Sequence, residues 1–304
     1  MQIEALKVFC DLVDTASFSH AAEINGITQS AVSQQIRTLE KKYDVVFFER
    51  GKKNFSITPE GQVFNEAARE MVEVYSGIGE QLKAIHDVVS GKLRVATVYS
   101  IGLHLLPGIL KSFRSKFPEV DVEIDYQRAD QVYTDVLEGR ADGGLVAYPK
   151  QRKGVVVEEF AREKLVLACS PLHPLASRKR VRLGDLSGVE FIGFDKDLPT
   201  RKAVDKLLRA AGVSVNQSKE FDSVETVKAA VEVERAVSIL PQSSLEREAA
   251  NGTLVAVEIG GAELWRPLGL VRKRTRVTSP AMREFATALS AWKKGVGRTN
   301  GAVC

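Results

Sequence analysis

The sequence predicts an α/β protein of several domains: an N-terminal winged helix-turn-helix, a long linker helix, and a C-terminal half built of two α/β lobes. Three observations carry this prediction. Two short helical patterns meet at a tight turn, Asn25-Gly26. A heptad of apolar residues then runs from Phe64 to Val89, and beyond Ser90-Gly91 short apolar runs alternate with helical ones. The chain has 304 residues, whereas single hydrophobic cores stop growing at about 250–300. The expected boundaries are 1–58 for the first domain, 59–90 for the linker and 91–304 for the last, with lobe I at about 91–161 and 268–295 and lobe II at about 162–267.

The first helix is set by Ile3, Leu6, Val8, Phe9, Leu12 and Val13 at mostly helical spacing. Ser17 is placed to cap a short alanine-rich helix that Asn25-Gly26 closes, and Thr28 to cap a third helix running to about Tyr43. Two apolar runs, Val45–Phe48 and Phe55–Ile57, flank a Gly-Lys-Lys-Asn turn and read as a β-hairpin wing. Thr58-Pro59-Glu60 opens the linker helix, since proline suits the first helical position.

Along that helix Phe64, Ala68, Met71, Tyr75, Ile78, Leu82, Ile85 and Val89 recur in alternating steps of four and three. One helix cannot bury such a seam alone. Either a second copy of the chain covers it or the chain's own body does. Gly77 and Gly79 weaken the helix and mark a close approach or a bend.

In the C-terminal half, LRVATV, VDVEID and DGGLVA are expected strands, with helices over 102–116 and 131–138 between them. LVLACS, VEFIGF, a polar strand near 217–221, AVSIL and LGLVRK continue the series, with helices over 201–210, 223–231 and 278–294. This alternation predicts a parallel sheet.

The third helix has an unusual surface. Ala31, Val32 and Ile36 form its apolar stripe, while Gln29, Ser30, Ser33, Gln34 and Gln35 occupy the rest without a lysine or glutamate among them. Short hydroxyls and amides suit the donor and acceptor edges of bases in a major groove, and glutamine can pair with adenine through two hydrogen bonds. Positive charge follows at once: Arg37, then Arg50, Lys52 and Lys53 at the wing, all placed to meet phosphate. Net charge is only +4, so the position of the bases carries the inference and their number does not.

The segment SFSHAAEINGITQSAVSQQIRTLEKKYDVVFFERGKKNFSITPEG resembles the winged helix-turn-helix of LysR-type transcriptional regulators. Ala21-Ala22, Thr28–Ser33, Leu39-Glu40, Phe47–Arg50 and Ile57–Gly61 meet the family's pattern. Tyr43-Asp44 departs from the usual Leu-Gly, from which a slightly different helix exit is expected. The resemblance extends more loosely through the C-terminal half. It implies a periplasmic-binding-protein-like effector domain, operator DNA and RNA polymerase as partners, and a homo-oligomer, commonly a dimer of dimers that bends DNA.

In such lobes a ligand sits in the cleft beyond the strand ends, where helix N-termini offer free N–H groups. Tyr99-Ser100, Ala147-Tyr148-Pro149 and Asp197–Arg201 occupy such positions. The resemblance implies that Ser100 and Thr200 line an effector cleft, with Tyr99, Tyr148, Gln127 and Arg201 around them. Hydroxyls, amides and an arginine suit a small carboxylate- or phosphate-bearing metabolite. The alternative is that Ser100 and Thr200 only cap their helices.

Other classes find less support. His20, His86, His104 and His173 are scattered, and no HExxH, GxSxG, phosphate-binding loop or dinucleotide fingerprint is present, so the chain is not expected to be an enzyme or to need a cofactor or metal. Cys10, Cys169 and Cys304 lie far apart; Cys10 and Cys169 read as small core residues, with redox sensing by Cys169 as the alternative. No signal peptide or apolar span is read, which places the protein in the cytoplasm and off the membrane. A solute receptor of two lobes is the rival reading, but it has no use for the first 90 residues.

Overall fold

The computed structural model describes residues 2–50, 55–85, 88–261, 264–274 and 278–296. It divides near Ser90 into two units, each described by itself.

The first unit packs α1 (Ile3–Thr15), α2 (Phe18–Ile24) and α3 (Gln29–Tyr43) with the hairpin of β1 (Phe48–Arg50) and β2 (Phe55–Ile57) and the start of α4 (Pro59–Ala84). The hydroxyls of Ser17, Thr28 and Thr58 cap α2, α3 and α4, accepting from the N–H groups of His20, Ala31 and Gly61. Phe9 is the centre of the core, with ring centroids of Phe47, Phe48 and Phe64 at 5.2, 5.1 and 4.7 Å. Val32, Ile36 and Leu39 bury the inner face of α3 against this core.

The wing needs one correction, and the end of α3 can be described. The first wing strand starts at Phe48, not Val45, because the backbone before it is engaged elsewhere: Phe47 N–H donates to Glu40 Oε1 at 3.0 Å, and its carbonyl accepts from Thr58 N–H at 2.9 Å. Asp44 takes the left-handed conformation itself, with φ 54° and ψ 44°, so α3 ends in the kind of cap a glycine would make.

The second unit is a two-lobed α/β structure. Lobe I holds β3 (Gly91–Val98), α5 (Tyr99–His104), α6 (Leu106–Lys116), β4 (Val120–Gln127), α7 (Ala129–Leu137) and β5 (Gly143–Ala147). The long β6 (Val155–Cys169) then crosses into lobe II, which comprises β7 (Arg180–Arg182), β8 (Glu190–Phe194), α8 (Pro199–Ala210), β9 (Asn216–Phe221), α9 (Val224–Val233), β10 (Val237–Pro241), α10 (Glu246–Asn251) and β11 (Val255–Gly260). The chain returns through β12 (Trp265–Lys273) and ends in α11 (Pro280–Val296).

The main strand order is β4-β3-β5-β12-β6-β10-β8-β9. Within each lobe the βα-linked strands are parallel, but β12 is antiparallel to β5 and β6, and β6 to β10. The parallel pairing expected of LRVATV, VDVEID and DGGLVA is present, and the sheet is mixed only where the two crossing strands run in opposite directions between lobes, with no helix between β5 and β6 to turn the chain over. The expected helix over 102–116 is also broken at Leu105, because Pro107 lacks the N–H that would continue it.

Candidate DNA-reading helix and effector cleft

The outer face of α3 is the first candidate. Gln29, Ser30, Gln34 and Arg37 are exposed and Ser33 is half-buried. Ser30 Oγ lies 2.9 Å from Thr28 Oγ1, so it is tied to the helix cap. Gln29, Gln34 and Arg37 bond no other side chain among the described residues, which leaves their amides and guanidinium available to an outside partner. Arg50 belongs to β1; its side chain, and Lys52 and Lys53 entirely, lie outside the described residues.

The second candidate lies between the lobes. Ser100 and Thr200 each occupy the second position of a helix, and neither caps it: the capping positions of α5 and α8 are Val98 and Leu198, with no side-chain cap bond. Instead Ser100 Oγ accepts from Arg266 Nη1 at 3.0 Å. Thr200 is buried at 8% exposure, and by its position its backbone N–H has no intrahelical acceptor. Tyr99 packs against Tyr126 with ring centroids 5.7 Å apart and planes tilted by 36°, and Gln127 ends the neighbouring strand. A Cβ on Gly102 would lie 2.6 Å from the Tyr126 ring, so this close seating of α5 requires glycine.

Tyr148 sits where β5 ends, in the left-handed region at φ 50°, with its N–H donating to Pro267 O at 2.8 Å. Strain of this kind persists only where the surroundings fix it. Burial pushes the Tyr148 hydroxyl above its ordinary range, and the charges of Arg266 and Glu163 act on it in opposite senses.

Arg201 stands apart from this group. It is 7% exposed, and its guanidinium bonds Asp205 at 2.7 Å, Glu220 at 2.9 Å and the Phe194 carbonyl at 2.6 Å, all within lobe II. It braces the start of α8. The arginine that reaches Ser100 is Arg266, which sequence reading did not single out. It lies on β12 opposite Glu163 of β6, and Nε and Nη2 both donate to Glu163 Oε2, at 3.0 and 2.5 Å. Charged residues at opposed positions on two separate strands leave no local pattern that could have revealed them.

Two further contacts join the lobes. Arg128 Nη2 reaches Asp197 Oδ2 at 2.6 Å across the exposed rim, and His104 Nε2 reaches Glu225 Oε1 at 2.8 Å further in. Burial, then the Lys228 charge, hold the His104 imidazole below its ordinary value of 6.5 despite the opposing Glu225. Burial acts in the same direction on His173. Below pH 6.5 the unfolded chain therefore takes up protons that the folded chain refuses, so stability is lost as pH falls and is unaffected above. The urea midpoint should drop between about pH 7.5 and 5.5, and His104→Gln with His173→Gln should flatten that slope. The same slope in the double variant would refute the assignment.

Burial raises the thiol of Cys10 to about 12 and that of Cys169 to about 11. Both are held uncharged, which suits core residues and not redox sensors. Among the described residues no cluster of His, Cys, Asp or Glu could hold a metal ion, and no helix is long and apolar enough to cross a membrane.

A helix-turn-helix with an exposed polar face, joined in one chain to a two-lobed α/β domain, is the architecture of a ligand-responsive DNA-binding regulator. Residues 3–62 match the family model for bacterial regulatory helix-turn-helix proteins of the lysR family, and residues 86–294 match that for the LysR substrate binding domain. The chain belongs to the LysR family of transcriptional regulators.

It is 27% identical to the HTH-type transcriptional regulator CysL of Bacillus subtilis, over 96% of this chain and 97% of that one. An uncharacterized HTH-type transcriptional regulator of Methanocaldococcus jannaschii is 30% identical, over 93% and 97%. Among solved structures, a full-length OxyR variant from Pseudomonas aeruginosa shares the fold at TM-score 0.77 and 21% identity, covering 95% of this chain and 94% of that one. The regulatory domain of Synechocystis CcmR in complex with 2-PG aligns at TM-score 0.61 and 25% identity, covering 67% of this chain and 98% of that one.

Proposed function

We propose that this regulator works in the cytoplasm as a homodimer, or a dimer of dimers, that reads an operator with α3 and answers a small anionic effector held between its lobes. Gln29, Ser30, Ser33 and Gln34 face base edges, and Arg37, Arg50, Lys52 and Lys53 neutralise phosphate. Symmetry then sets half-sites about 34 Å apart, or multiples of that. The observation that carries this reading is the outer face of α3, where Gln29, Gln34 and Arg37 have no side-chain partner among the described residues. A full-length CbnR solved in complex with its target DNA, with a TM-score of 0.65 and 22% identity over 96% of this chain and 99% of that one, has the same fold.

In the effector domain Ser100, Thr200, Tyr99, Tyr148 and Gln127 form the ligand site, with Arg201 bracing the α8 end. That the similar CcmR domain was solved with 2-PG supports a small-molecule effector. Ligand binding shifts the population of quaternary states, and with it the regulator's engagement of RNA polymerase. A solute receptor would leave the winged helix-turn-helix without a task.

In a gel-shift titration, Gln34→Ala should narrow the gap between operator and unrelated DNA by about 1–3 kcal/mol. Lys52→Ala should weaken binding to every sequence and lower the salt dependence by about one ion. Unchanged discrimination by the Gln34 variant would remove this residue from base readout.

A further inference from the structure

We propose that the buried Arg266–Glu163 pair fixes the Ser100 hydroxyl as a hydrogen-bond donor to the cleft, and so makes the effector site selective for a ligand head group that only accepts: a carboxylate, phosphate or sulfate. The inference rests on the reading of Ser100 as a cleft residue and adds the group that sets its polarity.

Arginine has no acceptor and keeps its proton at any working pH. Where Arg266 Nη1 meets Ser100 Oγ at 3.0 Å, the serine is therefore the acceptor and its own proton must point elsewhere. Helical hydroxyls usually send that proton to the carbonyl one turn back. Ser76, Ser112 and Ser115 do so in this chain, toward the carbonyls of Val72, Gly108 and Lys111. Ser100 cannot, because it stands at the second position of α5 and the residue four before it, Ala96, lies in β3. Its proton is left for something outside the helix.

The pair is built to hold this arrangement. Arg266 is 2% exposed and Glu163 6%. Glu163 Oε2 takes two bonds from Arg266, and Oε1 takes the N–H of Ser243 at 3.3 Å together with the Ser243 hydroxyl. Both carboxylate oxygens are thus occupied, and Glu163 offers nothing to an amine. Across the cleft, the Thr200 hydroxyl and the first-turn N–H groups of α8 add further donors. With the Ser100 proton turned outward and the Glu163 carboxylate fully occupied, this end of the site offers donors and no free carboxylate, which favours an oxyanion over a cationic head group.

The test is calorimetric titration of the full-length protein with inorganic phosphate, sulfate and 2-PG. It compares wild type, Ser100→Ala, the charge-neutral pair Glu163→Gln/Arg266→Met, and the triple variant. Ser100→Ala should weaken oxyanion binding about tenfold or more, as expected for a bond to a charged acceptor. The pair variant should weaken it by about 3–10-fold but cost less than about twofold once Ser100 is alanine, since its effect passes through that hydroxyl. Ser100→Thr, which keeps the donor, should bind like wild type.

Equal losses from the pair change in both backgrounds, or none in either, overturn the inference while leaving the cleft in place. If wild type binds none of the three oxyanions, or Ser100→Ala binds as tightly as wild type, the cleft reading itself falls. Replacing both charges avoids stranding one in the interior. Should the pair variant still lose its native circular dichroism, the neutral and still polar pair Glu163→Gln/Arg266→Gln takes its place in the same cycle and must show the same non-additivity, since an amide can accept from Ser100 as well as donate to it.

Discussion

Ile78→Asp should halve the mass of the proposed dimer in light scattering and lower operator affinity about 100-fold or more. Beyond its first turns, α4 carries a stripe that its own domain does not cover. Phe64 and Ala68, which open the heptad, are buried in the core of the first unit and Val72 packs beside them. Met71, Tyr75, Ile78, Leu82 and Ile85 continue it on the surface, with Ile78 at 47% exposure. The start of the seam thus packs on the chain's own body, while its continuation is exposed, as the proposed pairing with a second copy requires. Apart from the helix's own backbone, no atom of the described residues lies within 4 Å of a Cβ built on Gly79, and at Gly77 the flexible end of Gln81 lies at 3.7 Å, so crowding among the described residues does not explain these glycines. Burying one isoleucine contributes about 1.5–3 kcal/mol, and a symmetric seam loses it twice and gains two facing carboxylates. An operator bound through two half-sites then loses the second contact along with the dimer. An unchanged mass would refute the coiled-coil reading of α4.

What the sequence shows and what it hides follow the range of the interactions concerned. The N-terminal helices are readable because their signals are local: Ser17, Thr28 and Thr58 stand directly before the helices they cap, and the apolar spacing of α1 and α3 repeats every turn. In the effector half LVLACS is readable as a strand, but the first part of β6, VVVEEFAREK, is not. The reason lies in the register: Leu268 faces Ala161 while Gly269 faces Glu159, so Phe160 is an extra residue and is buried next to Ala161. A bulge of this kind breaks the alternation by which a half-buried strand is recognised.

The candidate cleft residues divide in the same way. Ser100 and Thr200 could be placed by the strand-to-helix junctions that carry them. Arg201, the only arginine beside those junctions, is taken up by Asp205 and Glu220, one of them a helical turn away on its own helix. The partner of Ser100 lies 166 positions further along the chain, and only the return of β12 along β6 brings it there.

Lys228→Met should destabilise the effector domain by about 3–5 kcal/mol in urea, and adding Glu248→Leu should restore most of the loss. Lys228 lies on α9 at 3% exposure, and its ammonium meets the Ser244 carbonyl at 2.9 Å, Glu248 Oε1 at 3.0 Å and Glu225 Oε1 at 3.0 Å. Glu248 is 4% exposed and its second oxygen, Oε2, has no partner. Burial alone would raise its carboxyl, but the Lys228 hydrogen bond, a backbone bond and the charges of Lys228 and Arg247 together hold it below its usual range. Methionine in place of Lys228 fills the space and leaves that carboxylate with the exposed Arg247, at 3.1 Å, as its remaining cation; removing the carboxylate as well should remove the penalty. A double variant as unstable as the single one would show that Lys228 contributes packing and not charge. The same substitution also separates stability from contact between the lobes. The Lys228 charge is one of the forces that lower His104, so the imidazole should titrate higher in the stable double variant than in wild type when followed by NMR. A restored fold with His104 unmoved would mean that the charge of Lys228 does not reach across the lobes, and that Glu225 alone sets the His104 contact.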